Sequence, residues 1–343
     1  MKTSKLTLGM VGLGYWGPNL LRNFDQLPDC CVKVCCDLDA GRLASAKDQY
    51  PHLTVTDNYN TLLDDPDLDA IIVATPARTH YTFALKALQY GKHLFIEKPL
   101  TLEVQQAVEL VELSEDTDRI LMVGHLMEYH PAIEKLKDLI QSGELGQIHY
   151  LYAQRVNLGR IRYDENAMWS LAPHDLSVAM YLLDTEPENV SARGAAYLQE
   201  GIDDVVFVNL QFPDGIMAHI QLSWLDPHKL RLTTIVGSEK MVVFDDMQTT
   251  EMVKIYNKGV NHTTGYTSYG EALSPRFGDV TIPYIKMTEP LKLECQHFLD
   301  CITNRCRPRS DGRDGLRVVR VLQAAQQSRN RNGEPVNINE CDV

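Results

Sequence analysis

The chain has 343 residues, enough for two domains with cores of their own. Its formal net charge of −13 excludes nonspecific nucleic-acid binding, which needs a basic surface, but leaves room for a phosphorylated small molecule held by a local arginine cluster. No apolar run approaches the roughly 18 residues of a membrane span, and the N-terminal stretch reaches glycines too early for a secretory signal, so a cytoplasmic protein engaging neither nucleic acid nor membrane is expected.

The stretch "KLTLGMVG" (5–12) predicts a strand and 16–27 a helix. Between them Gly12, Gly14 and Gly17 fall in the order G-x-G-x-x-G. Gly12 permits a tight turn and Gly14 lets the backbone approach a pyrophosphate, which then lies at the positive end of a helix that Pro18 is suited to open. Leu13, Tyr15 and Trp16 belong to the same cradle, the two aromatic rings over the pyrophosphate or turned toward the substrate. The strand 31–37 ends at Asp37, 20 residues after Gly17. A carboxylate there accepts from an adenosine 2′-hydroxyl and repels a 2′-phosphate, so NAD is the expected cofactor, although Arg42 is nearby. Cys30, Cys31, Cys35 and Cys36 lack metal-ligand spacing and suit a buried strand; neither a metal site nor a disulfide framework is expected.

A short strand (53–57), a strand (69–76) whose centre "AIIVA" is apolar throughout, a helix (79–91), a strand (93–99), a helix (102–116) and a strand (119–125) complete the first region. Strand–helix alternation implies parallel pairing, and 1–124 reads as a dinucleotide-binding domain. Thr75 and Pro76 close one strand and Glu97, Lys98 and Pro99 the next, at the carboxyl edge where such sheets bind ligands; a helix starting near His80 lies between. Thr75, Pro76, His80, Glu97 and Lys98 are therefore candidate cofactor-binding residues. A partly desolvated lysine beside a nicotinamide cation can lose its proton near neutral pH and take one from a hydroxyl; still charged, it polarises the substrate oxygen.

From 125 to 343 the pattern changes to a second domain. A helix (131–143) precedes alternating strands. Val206, Val208, Leu210 and Phe212, then Ile216, Ala218, Ile220, Leu222 and Trp224, predict a hairpin across "PDG", and 230–246 a second across "GSEK". The opposite face, with Asn209, Gln211, His219, Gln221 and Ser223, is either solvated or a subunit interface. The stretch 257–278 reads as a long structureless loop. Arg155, Arg160 and Arg162 gather in "AQRVNLGRIRYDENAMW", and Arg155 and Asn157 share a face if they share a strand. Guanidinium forks suit a pyrophosphate, though these arginines equally fit a solvated sheet edge. His125 and His130 are further candidates to face a substrate, without metal-site spacing.

The cradle, the block "TP…H…A…GKH…EKP" and a later helix bearing His174 resemble the glucose–fructose oxidoreductase / inositol dehydrogenase / rhizopine-catabolism superfamily over almost the whole chain. The resemblance implies an α/β fold: an N-terminal Rossmann dinucleotide-binding domain and a C-terminal α+β domain on a large, mostly antiparallel open sheet. It implies that Lys98 and His174 are catalytic, that Glu97 and Thr75 line the nicotinamide side, and that a cis peptide precedes Pro99. The family helix usually reads D-x-G-x-H; here Ser170 replaces the aspartate, which leaves the partner of His174 open. The stretches "GYWGPNLLRNF", "GHLMEYHPA", "NLGRIR", "APHD" and "EPLKLECQHFLDCI" are most similar to the UDP-N-acetylglucosamine 3-dehydrogenases, which supply a 3-keto sugar to an aminotransferase making 2,3-diamino sugars for lipid A or surface glycans. That branch implies a nucleotide-sugar substrate bound by Lys98, Arg155, Asn157, Arg160 and His174, no metal, and a homodimer or homotetramer formed through the second domain's sheet. A uronate substrate, a free inositol or sugar, keto-sugar reduction, and a non-catalytic NAD-binding regulator are the alternatives.

Overall fold

In chain order the first region forms β1 (Leu6–Val11), α1 (Gly17–Gln26), β2 (Cys30–Cys36), α2 (Ala40–Gln49), β3 (Thr54–Thr56), α3 (Asn60–Leu63), β4 (Ala70–Val73), α4 (His80–Gln89), β5 (His93–Glu97), α5 (Val104–Asp116) and β6 (Leu121–Gly124). There follow α6 (Pro131–Gln141), β7 (Ile148–Val156), α7 (Ala167–Leu183), β8 (Asn189–Ala195), β9 (Val205–Gln211), β10 (Met217–Ser223), β11 (Leu230–Gly237), β12 (Met241–Asp245), β13 (Val253–His262) and β14 (Leu273–Thr281). The chain closes with α8 (Pro290–Asn304), α9 (Gly312–Asn330) and β15 (Val336–Asn337). This computed structural model describes residues 5–262 and 273–339. They divide into two units: the described parts of Met1–Tyr129 with Thr288–Arg320, and of His130–Met287 with Val321–Cys341.

The first unit is a six-stranded parallel sheet in the order β3-β2-β1-β4-β5-β6. Its period-two alternation serves two cores. Ile71, Val73, Leu94 and Ile96 pack with Ala84, Leu88 and Leu110 of α4 and α5 and with Leu316 and Val319. Ala70, Ile72 and Phe95 pack with Leu20 and Phe24 of α1 and with Cys295 and Phe298 of α8. Phe298 meets Phe95 and Phe24 edge-on, with centroids 5.7 and 6.2 Å apart. Residues 288–320 thus return to the first unit, whereas the sequence placed everything after 124 in the second. An amphipathic helix declares that it covers a sheet, but not which one.

The second unit carries a nine-stranded sheet, β14-β13-β12-β11-β7-β10-β9-β8-β15, in which β7 and β10 are parallel and the other described pairs antiparallel. β9 and β10 form the expected hairpin, with Val206, Val208 and Leu210 buried against Ala218, Ile220 and Leu222. On the opposite face Asn209, Gln211 and His219 are exposed, but Ser223 is buried. In the stretch 257–278, expected to lack structure, the described residues are paired antiparallel strands: Val260 pairs with Pro275 and Gly259 with Arg276, while 263–272 lie outside the described residues. Polar and glycine-rich strands hide the alternation that marks β-structure. Among the described residues no helix is long and apolar enough to cross a membrane.

Candidate active site

The glycine loop joins β1 to α1. Gly12 has φ of +98°, and a Cβ there would stand 2.5 Å from the Ala74 carbonyl oxygen. Beside Gly14, by contrast, the nearest atom to a built Cβ is Arg42 Nη1 at 3.8 Å, so the backbone is open to a ligand. Trp16 precedes α1 without a side-chain capping bond, leaving the helix start uncapped toward an anion. Asp37 is buried and binds the loop itself: Oδ2 accepts from Leu13 N at 2.7 Å, and Oδ1 accepts from Asp39 N at 2.9 Å. Arg42 Nη1 lies 3.5 Å from Oδ2. Each oxygen keeps a lone pair for a ribose hydroxyl. An open glycine, an uncapped helix start and an acid at the end of β2 fit a dinucleotide.

Thr75 and Pro76 follow β4, and Lys98 follows β5, at the same sheet edge. The Lys98–Pro99 peptide is cis. His80, expected at the cofactor, is buried beneath this edge: Nδ1 is 2.7 Å from Pro99 O and Nε2 is 2.8 Å from Thr75 O. Its ring ties the two strand-end loops together, and burial lowers its pKa. Thr79 donates to the Thr75 hydroxyl at 2.8 Å. Burial pushes the Glu97 carboxyl up to about 7, against the opposing pull of Lys98 and of the Trp16 indole, which donates to it. Trp16 therefore joins the glycine loop to the acid beside Lys98, while Tyr15 stands exposed.

Behind this edge lies a polar cluster that the sequence did not disclose. His125 follows β6 and is buried; its Nε2 is 3.9 Å from Asp314 Oδ2, and burial lowers its pKa. Glu128 is buried too, and burial and then Asp314 push its carboxyl well above the usual carboxylate range. Arg317 meets Asp314 at 2.5 Å. Both ring nitrogens of His125, Glu128 Oε1, Asp314 Oδ2 and both carboxyl oxygens of Glu294 lack hydrogen-bond partners among the described residues. Neither His125 nor His130 faces solvent. His130 caps α6, accepting from Ala132 N at 3.1 Å, with Nε2 3.5 Å from Asp246. A buried acid inside a helical pattern looks like any exposed one in sequence.

In the second unit Arg155 is buried, and its fork is occupied: Nε donates to Asp175 Oδ2 at 2.6 Å and Nη2 to Oδ1 at 2.9 Å. The guanidinium expected to meet a pyrophosphate is held instead by Asp175, the neighbour of His174. Asn157 stands just beyond β7, donating its N–H to Ser223 O at 3.1 Å. Arg160 is exposed, and Arg162 pairs with Glu165 at 3.3 Å. His174 is partly buried on α7, its carbonyl accepting from Ser177 Oγ at 3.2 Å. Among the described residues no group of three His, Cys, Asp or Glu is placed to hold a metal ion.

Residues 6–125 match the oxidoreductase family, NAD-binding Rossmann fold, of the GFO/IDH/MocA group, and residues 133–243 match the GFO/IDH/MocA C-terminal domain. The chain belongs to this family, and its N-terminal unit is an NAD-binding Rossmann domain. It is 27% identical over 344 residues to scyllo-inositol 2-dehydrogenase (NAD(+)) of Bacillus subtilis, covering 96% of this chain and 95% of the relative. It is 29% identical over 264 residues to UDP-N-acetylglucosamine 3-dehydrogenase of Acidithiobacillus ferrooxidans, covering 77% and 78%. The solved structure of that second enzyme superposes with a TM-score of 0.80 at 24% identity, over 96% of this chain and 99% of that one. A gentamicin-biosynthesis protein, GenD2, solved in complex with NAD, shares the fold with a TM-score of 0.82 at 20% identity, over 98% of this chain and 97% of the other.

Proposed function

We propose that the protein oxidises the C3 hydroxyl of a UDP-linked amino sugar, UDP-N-acetylglucosamine, to the 3-keto sugar. The observation that carries a dehydrogenase reading is the placement of Lys98 and Glu97 at the carboxyl edge of β5, joined through the Trp16 indole to the open glycine loop. Bound NAD supplies the hydride acceptor. Lys98 holds the substrate hydroxyl and takes its proton. Glu97, which burial raises to about 7, can exchange a proton near neutral pH beside that lysine. His174 is given a second proton-handling role, and Asn157 and Arg160 substrate-binding roles, on the family resemblance. The 3-keto product suits a downstream aminotransferase, and a homodimer or homotetramer is expected.

A free inositol is the second reading. It is favoured by the ion pair that occupies Arg155 and by the equally similar inositol dehydrogenase. The test is NADH formation, with a carbonyl trap, on UDP-N-acetylglucosamine, its uronate and scyllo-inositol. NADH with UDP-N-acetylglucosamine alone supports the first reading, and NADH with inositol alone the second. Lys98→Met should lower kcat about 100- to 10,000-fold while calorimetric NAD affinity stays unchanged; full turnover in that variant would end the assignment.

A further inference from the structure

β6 runs from the sheet's opposite edge, where it starts at Leu121, to Gly124 beside Glu97. At that starting edge a cavity of about 360 Å³ opens between α5 and the segment 305–313. Four arginines line it: Arg119, Arg305, Arg307 and Arg313. Two are already engaged. Arg313 forks onto Glu115 at 2.6 and 2.8 Å, and Arg307 pairs with Asp311. Arg119 and Arg305 have no carboxylate within ion-pair distance among the described residues. Arg119 Nε is moreover buried with no hydrogen-bond partner.

A buried donor left unmet is costly unless a ligand or water meets it. The two unengaged guanidinium groups both line this one cavity. Both also lower His93, which burial above all pulls down to about 4 against the opposing effect of Asp69 and Asp118. Asp118 is the remaining carboxylate of the lining, so the unengaged charge is net positive on a chain whose total is −13. Val111 and Leu121 give the cavity an apolar wall. Its volume lies within the range of small-molecule sites, roughly 300–1,000 Å³, and exceeds what a bare phosphate fills.

We propose that this cavity is a second ligand site, separate from the cofactor edge, that takes a phosphate monoester: the phosphoryl group on Arg119 and Arg305, the organic body against Val111 and Leu121. Planar guanidinium forks match phosphate oxygens and supply charge-assisted bonds. The site is independent of which sugar the enzyme oxidises.

The test is calorimetry on the full chain saturated with NAD, which keeps the glycine loop filled. The probes are phenyl phosphate, inorganic phosphate and succinate. Phenyl phosphate is expected to bind one to one and more tightly than inorganic phosphate. Arg119→Ala and Arg305→Ala should each weaken it about tenfold or more, with NAD affinity unchanged. Arg305 is exposed, so its variant keeps the test open even if Arg119→Ala folds poorly. Absence of phenyl phosphate binding at about 10 mM, undiminished binding in the Arg305 variant, or succinate binding as tightly as phenyl phosphate would each overturn the proposal.

Discussion

Glu97 ties the site's chemistry to the fold's stability. Its carboxyl ionises near 4.5 in an unfolded chain and at about 7 in the folded one. Between those values the folded state binds more protons than the unfolded state, so stability falls as pH rises through the window and levels off above it. Glu97→Gln removes that slope. Its thermal midpoint should gain on the wild type by several degrees from pH 4.5 to pH 7, and parallel profiles would show that the carboxyl ionises normally. Arg155 and Asp175 pose the opposite case, a buried pair whose value lies in remaining a pair. Arg155→Met strands Asp175 without its counter-charge, and denaturant unfolding should show a loss of about 3–5 kcal/mol. The double variant Arg155→Met/Asp175→Leu should recover most of it. The places of Lys98, Gly12 and Asp37, at strand ends and in a turn, were legible because they depend on local sequence order. The partners of Arg155, His80 and His125 were not, because the fold, and not the local order of residues, decides which carboxylate or carbonyl a buried ring or guanidinium meets.

At the level of elements, the parallel sheet was readable wherever burial leaves a periodic trace. β4 is apolar because both its faces are covered, and β9 and β10 alternate because one is. α2 escaped notice for the converse reason: only Ala46 of its ten residues is buried, so it carries no apolar stripe, and Asp39 starts it by accepting from Gly41 N and Arg42 N. α8 was recognisable as part of a motif, but its destination was not. Phe298→Ala tests that destination. The substitution removes the ring that meets Phe24 and Phe95, and should cost about 3–5 kcal/mol. In a scan that resolves the two units, the loss should fall on the transition that NAD raises; a loss confined to the other transition would mean that α8 belongs to it.

For the molecule as a whole, the first unit is discontinuous: Met1–Tyr129 supplies all six strands, and Thr288–Arg320 supplies part of both cores. A fragment ending at residue 129 should therefore lack cooperative melting and a dispersed amide spectrum. The same fragment with 288–320 attached through a flexible linker should recover both. Cooperative folding of the short fragment would show that the returning helices are dispensable. The discontinuity also sets an order of events at the ribosome. Residues 130–287 must be made between the last strand of that sheet and the helices that seal it. At roughly 5–20 residues per second, the interval is on the order of ten to thirty seconds. The NAD cradle thus emerges long before the core beneath it is finished, and throughout that wait the flank of Phe24 and Phe95 stands unsealed, an apolar surface of the kind a holding chaperone would cover.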